Sequence, residues 1–176
     1  PYSRLKSKAG KKRTQRVKLY DRIVEGHVAL ELDVVAFYRR LLLVGCAYPY
    51  SHCKASYLGP TTSEVMVQDA ASLIMAFEKI RLCYVLRDWQ ISYVIHDSQS
   101  GMTTDKFQSW VKRKGIMPVP LPSGDHPHRV ERKQGVLKEV CRIVNTVYPT
   151  CLAHSLVPHL VFHAEKQVNA TASQSK

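Results

Sequence analysis

From His27 to Ala36 the chain alternates apolar and polar side chains, with Val28, Leu30, Leu32 and Val34 on one side. A period of two predicts a β-strand, and it puts Asp33 on the face opposite Leu32 and Val34. A second apolar run, Leu41-Leu42-Leu43-Val44-Gly45-Cys46-Ala47, follows after only Phe37 to Arg40, so the two runs predict a hairpin. Ser51 to Leu58 is a weaker third strand candidate, which would complete an antiparallel meander. Thr61-Thr62-Ser63-Glu64 reads as a capping box that opens a helix, with Val65, Val67, Ala70, Ala71, Leu73, Ile74 and Phe77 at helical spacing behind it.

The second half has a different rhythm. Ile91 to Ile95 is a compact strand pattern ending at His96-Asp97, and Asp105 to Lys114 is helical and stopped by Gly115. Ile116 to Leu121 predicts another strand, after which Pro122-Ser123-Gly124-Asp125-His126-Pro127 breaks regular structure. Two helices close the chain, Arg129 to Val147 and Leu152 to Val168, separated by Tyr148-Pro149-Thr150. The order is three strands, helix, strand, helix, strand, helix, helix. It predicts an α/β domain with a five-stranded mixed sheet flanked by helices, in the manner of ribonuclease H.

Length supports one such domain: 176 residues suffice for a single core, not for two comfortable ones. No run of 18 residues is both uncharged and apolar, since the long uncharged stretch Ile143 to Ala164 is broken by Pro149, Pro158 and polar side chains; this argues against a transmembrane helix, and the opening Pro-Tyr-Ser-Arg-Leu-Lys-Ser-Lys has no apolar stretch of a secretory signal behind it. The division expected is a basic arm or linker over residues 1–20, a core over 21–169 and a disordered polar tail over 170–176. Five cysteines without a Cys-x-x-Cys pair predict free, mostly buried thiols, and the scattered histidines offer no zinc pattern.

Charge then changes the picture. Lysine and arginine number 26 against 14 acids, a net +12. Arg4, Lys6, Lys8, Lys11, Lys12, Arg13, Arg16 and Lys18 crowd the first 18 residues with no acid among them. Such a block attracts polyanions by releasing condensed counterions, and it reads equally as a solvated tail or a nuclear import signal. A second basic group, Lys112, Arg113 and Lys114 and then Arg129, Arg132, Lys133, Lys138 and Arg142, surrounds the acids described next.

Asp33 interrupts a strand, where aspartate is depleted, Asp97 ends one, and Glu131 opens a basic helix. Taken singly, Asp97 reads as a turn residue and Glu131 as an acid favoured by the helix dipole. In this order and at this spacing they read as a metal-dependent phosphoryl-transfer triad, since magnesium takes oxygen ligands and a few carboxylates suffice. On the helix carrying Glu131, the i+3, i+4, i+7 and i+11 positions put Gln134, Gly135, Lys138 and Arg142 on the same face. Lys138 and Arg142 are therefore candidate phosphate clamps.

These residues resemble a known family, the integrase catalytic core of retroviruses and long-terminal-repeat retrotransposons, within the DDE recombinases. The resemblance runs from about Val28 to Thr171. Its pieces are Leu30-Glu31-Leu32-Asp33, then Ile95-His96-Asp97-Ser98-Gln99-Ser100-Gly101 with Phe107, then Lys114-Gly115-Ile116. The fullest is His126-Pro127-His128-Arg129-Val130-Glu131-Arg132 followed by Leu137-Lys138-Glu139. Ser98 stands where the family usually has asparagine, and His128-Arg129 where a glycine shortly precedes the glutamate. The 33 residues between Asp97 and Glu131 fall slightly short of the family's usual gap.

The resemblance implies a polynucleotidyl transferase of ribonuclease H-like fold. Asp33, Asp97 and Glu131 would hold two Mg²⁺ or Mn²⁺ ions, with water as nucleophile for 3′-end processing and a DNA 3′ hydroxyl for strand transfer. It further implies DNA as partner, contacted through Arg129, Arg132, Lys133, Lys138 and Arg142, self-association into a dimer or higher oligomer, no membrane contact, and action in the nucleus after passage through the cytoplasm. Two other readings stay open: a catalytically inactive, domesticated nucleic-acid-binding or self-association module, and a ribonuclease H-like nuclease acting on an RNA hybrid.

Overall fold

Strand β1, His27–Phe37, is the spine of the molecule, because it alone pairs with both halves of the sheet. In the computed structural model, which describes residues 26–47, 60–98, 101–122, 124–147 and 153–174, it runs antiparallel to β2, Arg40–Ala47, and parallel to β4, Gln90–His96. β3, Thr61–Val65, adds antiparallel to β2, and β5, Met117–Pro120, adds parallel to β4. The sheet order is β3-β2-β1-β4-β5, a mixed five-stranded sheet as the element order predicted.

Helix α1, Ala70–Val85, and α2, Asp105–Arg113, cover one face. There Leu30, Leu32, Leu43 and Val94 pack against Leu73, Phe77, Ile80, Phe107 and Val111. Helix α3, His128–Val147, and α4, Val157–Gln174, cover the other face, where Val35, Phe37, Leu42 and Val44 meet Val130, Leu137, Leu160 and Val161. Both faces of β1 are thus buried, and the polar positions of its alternation turn toward α3. Among the described residues no helix is long and apolar enough to cross a membrane.

The hairpin between β1 and β2 turns on Tyr38 and Arg39, both at positive φ, 43° and 64°. Two left-handed residues match the twist of a two-residue hairpin, but that conformation crowds any side chain with a Cβ. Replacing Tyr38-Arg39 with Asn-Gly should therefore stabilise the fold by about 1 kcal/mol. A denaturant midpoint that does not rise would refute this reading of the turn.

The capping-box expectation is wrong. Thr61 to Val65 is strand, not helix, with Thr61, Ser63 and Val65 buried in alternation and Glu64 paired to Arg40 at 3.1 Å. A β-branched segment beside an apolar strand gains a ladder of backbone bonds that outweighs one capping contact. The helix starts instead at Ala70, capped by Asp69, whose Oδ1 accepts from the Ser72 amide at 2.7 Å. The third strand expected over Ser51 to Leu58 falls outside the described residues. At the chain's end, Val157–Gln174 is helical after a short 3₁₀ turn at His154–Leu156, so helix runs into the segment expected as a disordered tail. Contacts lower on the helix tie it to the sheet.

Those contacts are two polar side chains on α4 that close the sheet's open edge. Buried Glu165 accepts from the Thr62 amide at 2.9 Å and its hydroxyl at 2.6 Å, while Asn169 donates to the Pro60 carbonyl at 3.3 Å. An exposed edge of unpaired amides invites another strand, and α4 covers it. Burial pushes the Glu165 carboxyl above the usual carboxylate range, with the Thr62 donors holding the rise back. A carboxyl raised in the fold stabilises it most below its ordinary value of 4.5 and loses that contribution as pH climbs through the raised value. The stability advantage of the wild type over Glu165→Gln should accordingly shrink as pH rises above about 4.5. A constant difference in unfolding midpoint would contradict it.

Candidate active site

The register of two parallel strands assembles the first half of the site. Leu32 of β1 lies opposite His96 of β4, so Asp33, within β1, and Asp97, just past the carboxyl end of β4, follow side by side. Asp33 faces α3. Its Oδ1 accepts from the Val34 amide at 2.8 Å and its Oδ2 from the Gln134 side-chain amide at 3.0 Å. Gln134 is one turn on from Glu131, as the helical spacing placed it.

Glu131 sits in the first turn of α3 with its side chain 42% exposed. A single imidazole lies between it and Asp97: His126 Nδ1 is 3.4 Å from Asp97 Oδ2 and 3.8 Å from Glu131 Oε1. His128 Nδ1 is 3.6 Å from Glu131 Oε2. Burial raises the Asp33 carboxyl above its ordinary value, the Gln134 and Val34 donors pull it down, and the charges of Glu131 and Asp97 push it up again. The three acids are within electrostatic reach of one another. Among the described residues, however, no three His, Cys, Asp or Glu side chains already stand in metal-holding geometry.

Asp97 rests on support that sequence reasoning missed. His96 is fully buried, its Nδ1 is 2.9 Å from the Asp97 carbonyl, and its Nε2 is 3.0 Å from Gln108 Nε2. The same Gln108 nitrogen donates to the Met102 carbonyl at 2.8 Å, which orients the amide. A carbonyl only accepts and an amide nitrogen only donates, so the proton is assigned to Nδ1 and the lone pair to Nε2. Burial lowers the His96 pKa, which favours the neutral ring. His96 adjoins Asp97 in the sequence, yet its partner Gln108 lies on a helix and no local pattern announces it.

Glu31 was missed in the same way. It is 3% exposed and accepts, through Oε2, from the amides of Arg129 at 2.9 Å and Val130 at 3.2 Å. Those amides belong to the first turn of α3, which has no intrahelical partners for them.

The five cations expected at the DNA surface do not share one flank of α3. Arg129 and Lys133 lie near enough to Cys46 of β2 to oppose the rise of its thiol, which burial pushes up to about 12. Arg132 is exposed. Lys138, also exposed, stands 5.9 Å from the centre of the Phe37 ring. Arg142 is held by Glu139 at 2.6 and 2.8 Å. The described cysteines, Cys46, Cys83 and Cys141, are free thiols as expected.

No protein-family model matches the sequence, and no curated protein is similar to it in sequence. Solved structures share its fold. The catalytic core domain of BIV integrase superposes with a TM-score of 0.55 at 11% identity, covering 84% of each chain. The HTLV-2 integrase catalytic core domain in complex with magnesium gives 0.55 at 15%, over 79% of this chain and 84% of that one. A chain of the simian T-cell lymphotropic virus intasome in complex with PP2A regulatory subunit B56 gamma gives 0.59 at 12%, over 80% of this chain and 48% of that one. The fold is that of retroviral integrase catalytic cores, ribonuclease H-like.

Proposed function

We propose that this chain, built on the integrase-core fold, is a polynucleotidyl transferase that trims the 3′ ends of retroelement DNA and joins them to a target. The observation that supports it is the nearness of Asp97, after β4, and Glu131, in the first turn of α3, to the half-buried Asp33 carboxyl of β1, which feels both charges. Hard oxygen donors that repel one another suit a divalent cation, and Asp33, Asp97 and Glu131 would hold two Mg²⁺ or Mn²⁺ ions. When bound, the ions would polarise the phosphate and favour an attacking water or 3′ hydroxyl.

The chain's own residues orient this site. Gln134 and the Val34 amide fix the Asp33 carboxylate, and the His96–Gln108 pair fixes the backbone at Asp97. Lys138 and Arg132 project into solvent around Glu131's helix, where phosphate contacts position nucleic acid without reading sequence. Arg142 would exchange Glu139 for phosphate, and Arg129 and Lys133 would serve a second strand path on the flank toward β2. The same reading includes self-association and action on nuclear DNA.

The test is strand joining by the full-length protein on labelled DNA ends with Mg²⁺ or Mn²⁺. Joining that appears with either metal and vanishes with chelator supports the proposal. DNA binding without joining under either metal would refute it in favour of an inactive nucleic-acid-binding module.

A further inference from the structure

Glu31 is a buried carboxylate that the proposed chemistry does not use. It lies two residues before Asp33, on the same face of β1, and its Oε2 takes both the Arg129 and the Val130 amide in the first turn of α3. Glu131 is the next residue along that helix. An unpaired helix N-terminus leaves amides bare and carries partial positive charge, so a carboxylate aimed at it is favoured on both counts. A capping residue normally comes from the residues just before the helix. Here it comes from the central strand, 98 residues earlier.

We infer that Glu31 is a positioning residue: a strut that fixes the first turn of α3, and with it Glu131, at a set distance from Asp33. The inference rests on the proposed metal site and adds what holds its two halves in register. Gln134 makes the return connection one turn further on, from α3 to Asp33 at 3.0 Å. Two cross-links, one on each side of Glu131, leave the helix little freedom to slide or tilt along β1. A neutral glutamine keeps an oxygen for the two amides, an aspartate stops one methylene short of them, and a leucine fills the space with no acceptor.

Partners that orient metal-binding side chains typically contribute about 10–100-fold to affinity when removed. Mn²⁺ binding to the full-length protein, followed by electron paramagnetic resonance of the free ion, separates this from mere stability if each variant is first shown folded by circular dichroism. We expect Glu31→Leu to weaken Mn²⁺ binding by about tenfold or more and Glu31→Gln to stay within about threefold of wild type. Should the leucine variant not fold, Glu31→Asp gives the same reading, with loss expected. Unchanged affinity in a folded Leu or Asp variant overturns the strut. Equal loss in Gln and Leu overturns it too, because the effect would then follow charge rather than the bonds. Asp33→Ala distinguishes the underlying reading: if it binds Mn²⁺ like wild type, the metal site itself fails, whatever Glu31 does.

Discussion

Asp97→Asn is expected to reduce metal-dependent strand joining by on the order of a thousandfold, about 4 kcal/mol of transition-state stabilisation, while leaving the fold and DNA binding in place. The side chains are nearly the same size, and the support beneath the residue is made to its backbone: His96 Nδ1–H donates to the Asp97 carbonyl, which asparagine retains. What changes is the charge and the second oxygen. An amide is a poor partner for a hard dication. DNA affinity at fixed salt should hold, since the variant removes one negative charge and no cation. Joining within tenfold of wild type, measured on the same labelled ends, would remove Asp97 from the proposed triad.

Phe77→Ala should have the largest effect on stability, about 3–5 kcal/mol, seen as a lower denaturant midpoint at unchanged slope. Phe77 is fully buried on α1, with its ring centre 6.1 Å from that of Phe107 and 6.0 Å from that of Trp110 on α2. Truncation leaves a cavity between the two helices and the sheet. It also loosens the helix that carries Gln108, and Phe107 itself lies edge-on against His96 at 6.4 Å, so the support of Asp97 weakens together with the core. Phe162 on α4 is the control. It is 50% exposed with Lys166 above its ring, and its removal should cost under about 1 kcal/mol. Similar losses for the two phenylalanines would show that this core is not the seat of stability.

The sequence by itself determined the elements whose pattern is long and local. Period-two alternation from His27, the apolar run from Leu41, the stop at Gly115, which takes a φ of +74°, and the helix expected from Arg129, which opens one residue earlier at His128, all follow from forces acting between near neighbours along the chain. The same locality misled it at Thr61 to Glu64, where four residues suited to a cap were taken up by the edge of the sheet. It also picked out Asp33, because an acid inside a strand needs a reason. Only the tertiary structure decided what surrounds the acids. Glu31 reaching Arg129 and Val130, Gln134 reaching Asp33, Gln108 reaching His96 and Glu165 reaching Thr62 join different elements, most of them about a hundred residues apart. A buried polar group must find a partner, but which partner depends on how the layers stack, and hydrophobic burial sets that stacking without reference to polar order along the chain.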